Sequence, residues 1–268
     1  MYTFGFFGCG NMGSALARAA AKSVGGEQVI LSDLSKERLA QLSAELGAVA
    51  AQNNAEVANS ARFLFLGVKP QMMQELLTEL SPLLIARKER FVHVTMAAGL
   101  SIEAITKMVG AEYPVIRIMP NTSASIGQAM IIYAANALVT AEELEEFCAK
   151  MQTAGRLDPL PEHLIDAGAC ISGCGPAFVY LFIEALADGG VACGLPRLKA
   201  MEYAAQTVLG AAAMVLTTGQ HPGALKDAVC SPAGTTIAGV HALEEGAFRA
   251  TSANAILAAY RRTMEMKK

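Results

Sequence analysis

Several absences narrow the possibilities first. The six cysteines, at positions 9, 148, 170, 174, 193 and 230, form no Cys-x-x-Cys pair, and no histidine stands at zinc-ligand spacing from them. This argues against a disulfide framework or a structural zinc site, leaves no expected metal ligands, and fits free thiols in a reducing cytosol. Charged residues are only 17% of the chain and the formal charge is −3. Without a basic field, nucleic acid is not the expected partner and small molecules are. No basic segment or cleavage site precedes the apolar run that starts at Tyr2, so no signal peptide is expected. The most apolar region, 171–195, is interrupted by Pro176, Glu184 and Asp188. A buried helix explains it better than a membrane span, and a cytoplasmic protein is expected.

What is present is abundant apolar sequence: 53% of 268 residues are hydrophobic, enough for a large core or a buried oligomer interface. Runs at 2–7, 29–32, 63–67, 91–94, 115–119 and 130–133 read as strands, with a short third strand before Asn54. Between them, 11–23, 36–46, 71–84 and 102–108 carry helical spacing. This alternation predicts a parallel sheet with helices on both faces, and the unbroken run FLFLGV at 63–68 suits a strand covered on both sides.

The pattern changes after a helix at 141–154. Gly155, Asp158, Pro159 and Pro161 read as a linker, dividing the chain into domains 1–158 and 159–268. From Leu164 onward only helices are expected, at 177–193, 197–218, 224–229, 236–245 and 247–266. Stretches such as AAQTVLGAAAMVL, 204–216, must be buried nearly all round. A helical domain this small would struggle to do that alone, so it is expected to dimerise.

Gly8, Gly10 and Gly13 form GCGNMG directly after the first strand and before the first helix. In that setting the glycines allow a tight turn, close approach of a dinucleotide pyrophosphate, and close helix–strand packing. Asp33, at the end of the second strand, suits the ribose 2′-hydroxyl of NAD. Ser32, Ser35, Lys36 and Arg38 around it would suit the 2′-phosphate of NADP; the sequence leaves both open. Ligands in such sheets lie beyond the carboxyl ends of the strands. Val68, Lys69 and Pro70 follow one strand, Ala97, Ala98 and Gly99 another, and Met119, Pro120, Asn121 and Thr122 a third. Each turn is either structural or a ligand contact. Asn54 is either a helix N-cap or an adenosine contact.

In LKDAVCSPAGTT, 225–236, Pro232 and Gly234 break one helix and Thr235 and Thr236 open another. Such a helix start offers unpaired N–H groups, a positive dipole end and two hydroxyls, which suits a carboxylate or phosphate. The plainer reading is a Ser or Thr capping its own helix.

The ordered series GCGNMG, VKP, AAG, MPNT, SGCGPAF, GLPR and LKDAVCSPAGTT resembles pyrroline-5-carboxylate reductases from Phe6 to about Met264. The resemblance implies an α/β N-terminal Rossmann-type doubly wound sheet followed by an all-α dimerisation domain, with dimers that often assemble into decamers. It implies NADPH as cofactor, with NADH accepted by some members, and reduction of a cyclic imine. Cofactor contacts would fall on Phe7, Gly8, Cys9, Gly10, Asn11, Met12, Asp33, Asn54, Val68 to Pro70 and Ala97 to Gly99. Substrate contacts would fall on Ser231, Gly234, Thr235 and Thr236, with Thr236 hydrogen-bonded to the imine nitrogen. The family's turn often reads Ser-Pro-Gly-Gly; here Ala233 replaces the first glycine and must keep a backbone angle tolerable to a Cβ. Ala228 stands where some members have Asn.

β-Hydroxyacid dehydrogenases, the nearest rival enzymes, use a lysine early in the helical domain, and no lysine occurs between Lys150 and Lys199. Reductases of other cyclic imines and a non-catalytic NAD(P)-binding protein remain as alternatives. Among the other polar residues, His221 and His241 are expected to be structural or surface groups. Glu184 and Asp188 are expected to be satisfied interface groups. Lys226 and Asp227, adjacent on a helix, are not expected to pair.

Overall fold

The computed structural model describes residues 1–266. In chain order the N-terminal part runs β1 (Tyr2–Phe7), α1 (Asn11–Val24), β2 (Val29–Ser32), α2 (Lys36–Leu46), β3 (Val49–Ala50), α3 (Asn54–Ser60), β4 (Ala61–Leu66), α4 (Pro70–Ala86), β5 (Val92–Thr95), α5 (Ile102–Val109), β6 (Val115–Met119), β7 (Ala129–Ala135), α6 (Ala141–Met151), β8 (Gly155–Pro159) and α7 (Glu162–Ser172). The helical part follows as α8 (Gly175–Ala192), α9 (Arg197–Thr218), α10 (Pro222–Val229), α11 (Thr235–Glu245) and α12 (Phe248–Met266).

Eight strands form one sheet in the order β3-β2-β1-β4-β5-β6-β7-β8. The strand order reverses between β1 and β4, which opens a crevice above their carboxyl ends. Phe63, Leu64, Phe65 and Leu66 are all fully buried because the two sides of β4 meet different cores. Phe63 and Phe65 join Phe4, Phe6 and Phe147 on one face; Leu64 and Leu66 join Leu77, Leu80 and Ile105 on the other. Each such side chain contributes roughly 1.5–3 kcal/mol by burial.

Three sequence expectations change here. β7 runs antiparallel to β6, because the link between them holds one 3-10 turn, Thr122–Ile126, too short for a crossover helix. The expected linker is partly a strand: β8 pairs with β7 at the sheet edge, where Pro159 removes no ladder bond that another strand needs. Helix α7, not distinguished beforehand, packs against β6 and β7.

By compactness, one unit contains residues 1–174 together with the chain from Tyr260 on, and the other is Gly175–Ala259. In the second unit only Ala187, Ala200 and Ala204 form a buried cluster. Leu181 is 66% exposed, Leu198 84%, Leu209 60% and Leu216 74%. The apolar faces of α8 and α9 are therefore not buried within one chain, so the all-round burial expected of 204–216 is not met there. The stretch Glu162–Ala192 is long and apolar enough to cross a membrane by length and composition; it consists of α7 and α8, separated at Gly173 and Cys174.

Candidate active site

The glycine turn is shaped by two close approaches. Gly8 has φ 96° and its N–H donates to Ser32 O at 2.8 Å, while a Cβ there would lie 2.8 Å from Gly67 O. A Cβ on Gly13 would strike Gly8 O, so α1 packs directly under the turn. Gly10 is the N-cap of α1, without a side-chain cap and with no acid in the first turn, and the space beyond its Cα is open. Free N–H groups at a positive helix end facing open space fit a dinucleotide diphosphate.

The remaining expected cofactor residues divide by exposure. Phe7, Cys9 and Ala97 are buried, so they offer backbone only, whereas Asn11, Lys69, Pro70 and Ala98 are exposed and Gly8, Met12, Val68 and Gly99 half-buried. Burial, and then the Asp33 carboxylate, push the Cys9 thiol up to about 12, so it stays neutral beside the turn. Asp33 turns inward: its Oδ2 accepts the Cys9 N–H at 2.6 Å, its Oδ1 accepts the Ser35 N–H at 2.7 Å, and Arg38 lies 3.6 Å from Oδ2. Asn54 is not a cap, because Asn53 caps α3 by accepting the Glu56 N–H at 3.0 Å. Instead Asn54 Oδ1 accepts the Ser32 hydroxyl at 2.6 Å.

Asn121, at the end of β6, accepts the Ser123 N–H at 3.2 Å and donates to Ser172 O at 2.8 Å, so it joins the last turn of α7 to the sheet. Sequence reasoning missed Arg117, Glu162 and Asp166, which make the same connection lower on β6: Arg117 bonds Asp166 at 2.7 Å and approaches Glu162 at 3.4 Å. The available signal was an arginine inside the apolar strand VIRIM, since a buried guanidinium requires a carboxylate.

In the helical unit, His221 caps α10 by accepting the Gly223 N–H at 3.0 Å. Lys226 and Asp227 do form an ion pair, contrary to expectation; the reach of the lysine side chain lets neighbouring residues meet although their Cβ atoms diverge. This hydrogen bond raises the Lys226 pKa and lowers that of Asp227. Asp188 pairs with Arg197, and Glu184 is exposed. The turn after α10 closes with Gly234 N–H to Ser231 O at 3.1 Å. Ala233 has φ 56°, the left-handed region, so it does not keep the backbone angle expected of a residue with a Cβ.

Gly234 is the N-cap of α11 and supplies no side-chain cap. Ser231, Thr235 and Thr236 therefore do not serve as caps, which removes the plainer reading of the turn. Their side chains make no hydrogen bond among the described residues and are exposed. Thr235, Thr236 and Ile237 leave first-turn N–H groups free at a positive helix end. Among the described residues no cluster suits a metal ion.

A doubly wound sheet with an open glycine turn, followed by helices whose apolar faces need a partner, defines an NAD(P)H-dependent oxidoreductase that self-associates. Residues 162–266 match the family model for pyrroline-5-carboxylate reductase dimerisation, and residues 3–99 match that for coenzyme F420-dependent NADP oxidoreductases. With 40% identity to pyrroline-5-carboxylate reductase of Pisum sativum, over 99% of this chain and 96% of that protein, the chain belongs to the pyrroline-5-carboxylate reductase family. The Escherichia coli K12 enzyme is likewise 40% identical, covering 98% of each chain. The NADP-bound Plasmodium falciparum pyrroline carboxylate reductase matches with a TM-score of 0.88 and 32% identity, covering 100% of this chain and 98% of that one.

Proposed function

We propose that the chain reduces the cyclic imine 1-pyrroline-5-carboxylate to L-proline, the last step of proline biosynthesis, preferring NADPH and accepting NADH. The observation that carries this reading is the uncapped start of α11, where free N–H groups and three unengaged hydroxyls gather on one turn. The bound nicotinamide supplies hydride to the imine carbon. The chain's own groups orient the ring and support its charge, which is what hydride acceptance by a protonated imine requires.

The free N–H groups at 235–237 and the Ser231 hydroxyl hold the substrate carboxylate. Thr236 Oγ hydrogen-bonds the ring nitrogen. Thr236 is not the proton source, because a hydroxyl is a poor acid near neutral pH; water relays the proton. On the nucleotide side, Gly8 to Met12 hold the diphosphate, the turns at 68–70 and 97–99 border the nicotinamide, and Asp33 and Asn54 lie at the adenosine end. The working unit is a cytoplasmic homodimer that assembles further into a decamer, without nucleic acid or membrane partners. Mixed dimers carrying one mutation in each domain test which chain supplies the substrate turn.

Steady-state oxidation of NADPH and NADH with pyrroline-5-carboxylate, compared with the six-membered imine, tests the assignment. Turnover with the five-membered ring is expected. Preference for the six-membered ring would make it a reductase of another imine, and no turnover with any pair would make it a nucleotide-binding protein.

A further inference from the structure

We propose that Glu162 is a positioning residue for hydride transfer: from the start of α7 it tethers the turn at 97–99 and so fixes the surface against which the nicotinamide ring lies. This deepens the imine-reductase reading and rests on its placement of the nicotinamide beside that turn.

The turn is lightly held by its own bonds. Ala97 N–H reaches Thr95 Oγ1 at 3.4 Å and Leu100 N–H reaches Ala97 O at 3.4 Å, both longer than an ordinary hydrogen bond. Gly99, at φ 79°, has open space where a Cβ would stand, so packing on that side does not restrain it. Behind the turn, α5 begins at Ile102. Ser101 caps this helix by accepting the Ala104 N–H at 3.1 Å, which leaves the Ile102 N–H for an acceptor from elsewhere. Glu162 Oε1 accepts it at 2.7 Å, closer than either bond inside the turn.

Glu162 can act as a fixed support because α7 is itself fastened along its length. Arg117 in β6 approaches Glu162 at 3.4 Å and bonds Asp166, one helical turn further on, at 2.7 Å. At the other end of α7, the buried Asn121 donates to Ser172 O at 2.8 Å. A charge-assisted hydrogen bond from an anchored helix therefore sets where the turn lies. An acid that merely favoured the positive end of α7 would act through its charge alone. A tether acts through its reach.

Two variants of the full-length oligomer separate these roles. Glu162→Asp keeps the charge at the helix start but falls one carbon short of Ile102, whereas Glu162→Gln keeps the reach and an accepting oxygen without the charge. With NADPH and pyrroline-5-carboxylate, Glu162→Asp should lower kcat about tenfold or more, because misplacement by about 1 Å costs that much or more. Its Kd for NADPH should stay within roughly threefold of wild type, since the glycine turn still holds the diphosphate. Glu162→Gln should keep kcat within roughly threefold of wild type. Amide exchange at Ile102 should accelerate in Glu162→Asp and not in Glu162→Gln. Equal kcat for the two variants, or a larger loss in Glu162→Gln, would overturn the tether, as would a weakening of NADPH that matches the loss in kcat. A wild type without turnover on any imine would defeat the imine-reductase reading alone. Fluorescence of bound NADPH, which arises from the nicotinamide ring, then tests the tether by itself: a change in Glu162→Asp but not in Glu162→Gln is expected, and no change in either would overturn it.

Discussion

Arg117 Nη2 donates to Asp166 Oδ1 at 2.7 Å, with the two side chains 2% and 3% exposed, so a buried ion pair fastens α7 to the middle of β6. Glu162 extends the connection, since its Oε1 lies 3.4 Å from Arg117 Nη1 and accepts the Ile102 N–H of α5 at 2.7 Å. Removing Arg117 takes from a buried carboxylate the cation that offsets its desolvation. Arg117→Ala should therefore cost about 3–5 kcal/mol, and Arg117→Met with Asp166→Leu should recover most of it. Urea unfolding at one fixed protein concentration, necessary for an oligomer, checks both; a loss under about 1 kcal/mol for the single variant would contradict the role.

Much of this architecture was legible because its signals were local. The unbroken apolar strand at Phe63 and the glycines after Phe7 identify a covered parallel sheet with a nucleotide turn. β8 was not legible, because Arg156, Asp158 and Pro159 at a sheet edge resemble a linker when read without the neighbouring β7. Nor was the inward turn of Asp33, which depends on a side-chain orientation that places its oxygens against Cys9 and Ser35. The Arg117–Asp166 pair spans separate elements, and spacing along the chain carries no information about it.

Ala233 holds φ 56° in the turn that leads to Thr236. A Cβ in this region costs roughly 1–2 kcal/mol, and glycine avoids that cost while gaining entropy when unfolded. Ala233→Gly should consequently raise stability by about 0.5–1 kcal/mol in urea titrations. Its neighbour cannot change in the opposite sense: a Cβ on Gly234 would collide with Ser231 Oγ. Gly234→Ala should lower kcat/KM by at least about tenfold through displacement of that hydroxyl; unchanged kinetics would detach the turn's geometry from substrate binding.

His93 lies fully buried on β5 beside Phe91 and Tyr113, and neither ring nitrogen has a hydrogen-bond partner among the described residues. Burial, and then the Arg87 charge, lower its pKa to about 4 from 6.5. The unfolded chain therefore binds a proton at His93 before the folded one does. Its contribution is present above pH 6.5 and is lost as pH falls toward about 4, on the order of 3 kcal/mol in all. His93→Phe should flatten the stability profile across that window; an unaltered profile would place the acid sensitivity elsewhere.

Thr236, the second residue of α11, carries an exposed hydroxyl that no other group among the described residues engages. If that hydroxyl meets the imine nitrogen, Thr236→Ala should lose one hydrogen bond beside developing charge, about 1–3 kcal/mol in kcat/KM. Thr236→Ser should retain most activity, because it keeps the oxygen. The division between kinetic constants is informative: a bond strengthened in the transition state lowers kcat, whereas one that only holds the ground state raises KM. If the first-turn N–H groups at 235–237 hold the carboxylate independently of this hydroxyl, the loss should fall chiefly on kcat. Nucleotide affinity, measured without the imine, should not move. An unchanged kcat/KM for Thr236→Ala would remove Thr236 from the reaction and leave the turn as a carboxylate site alone.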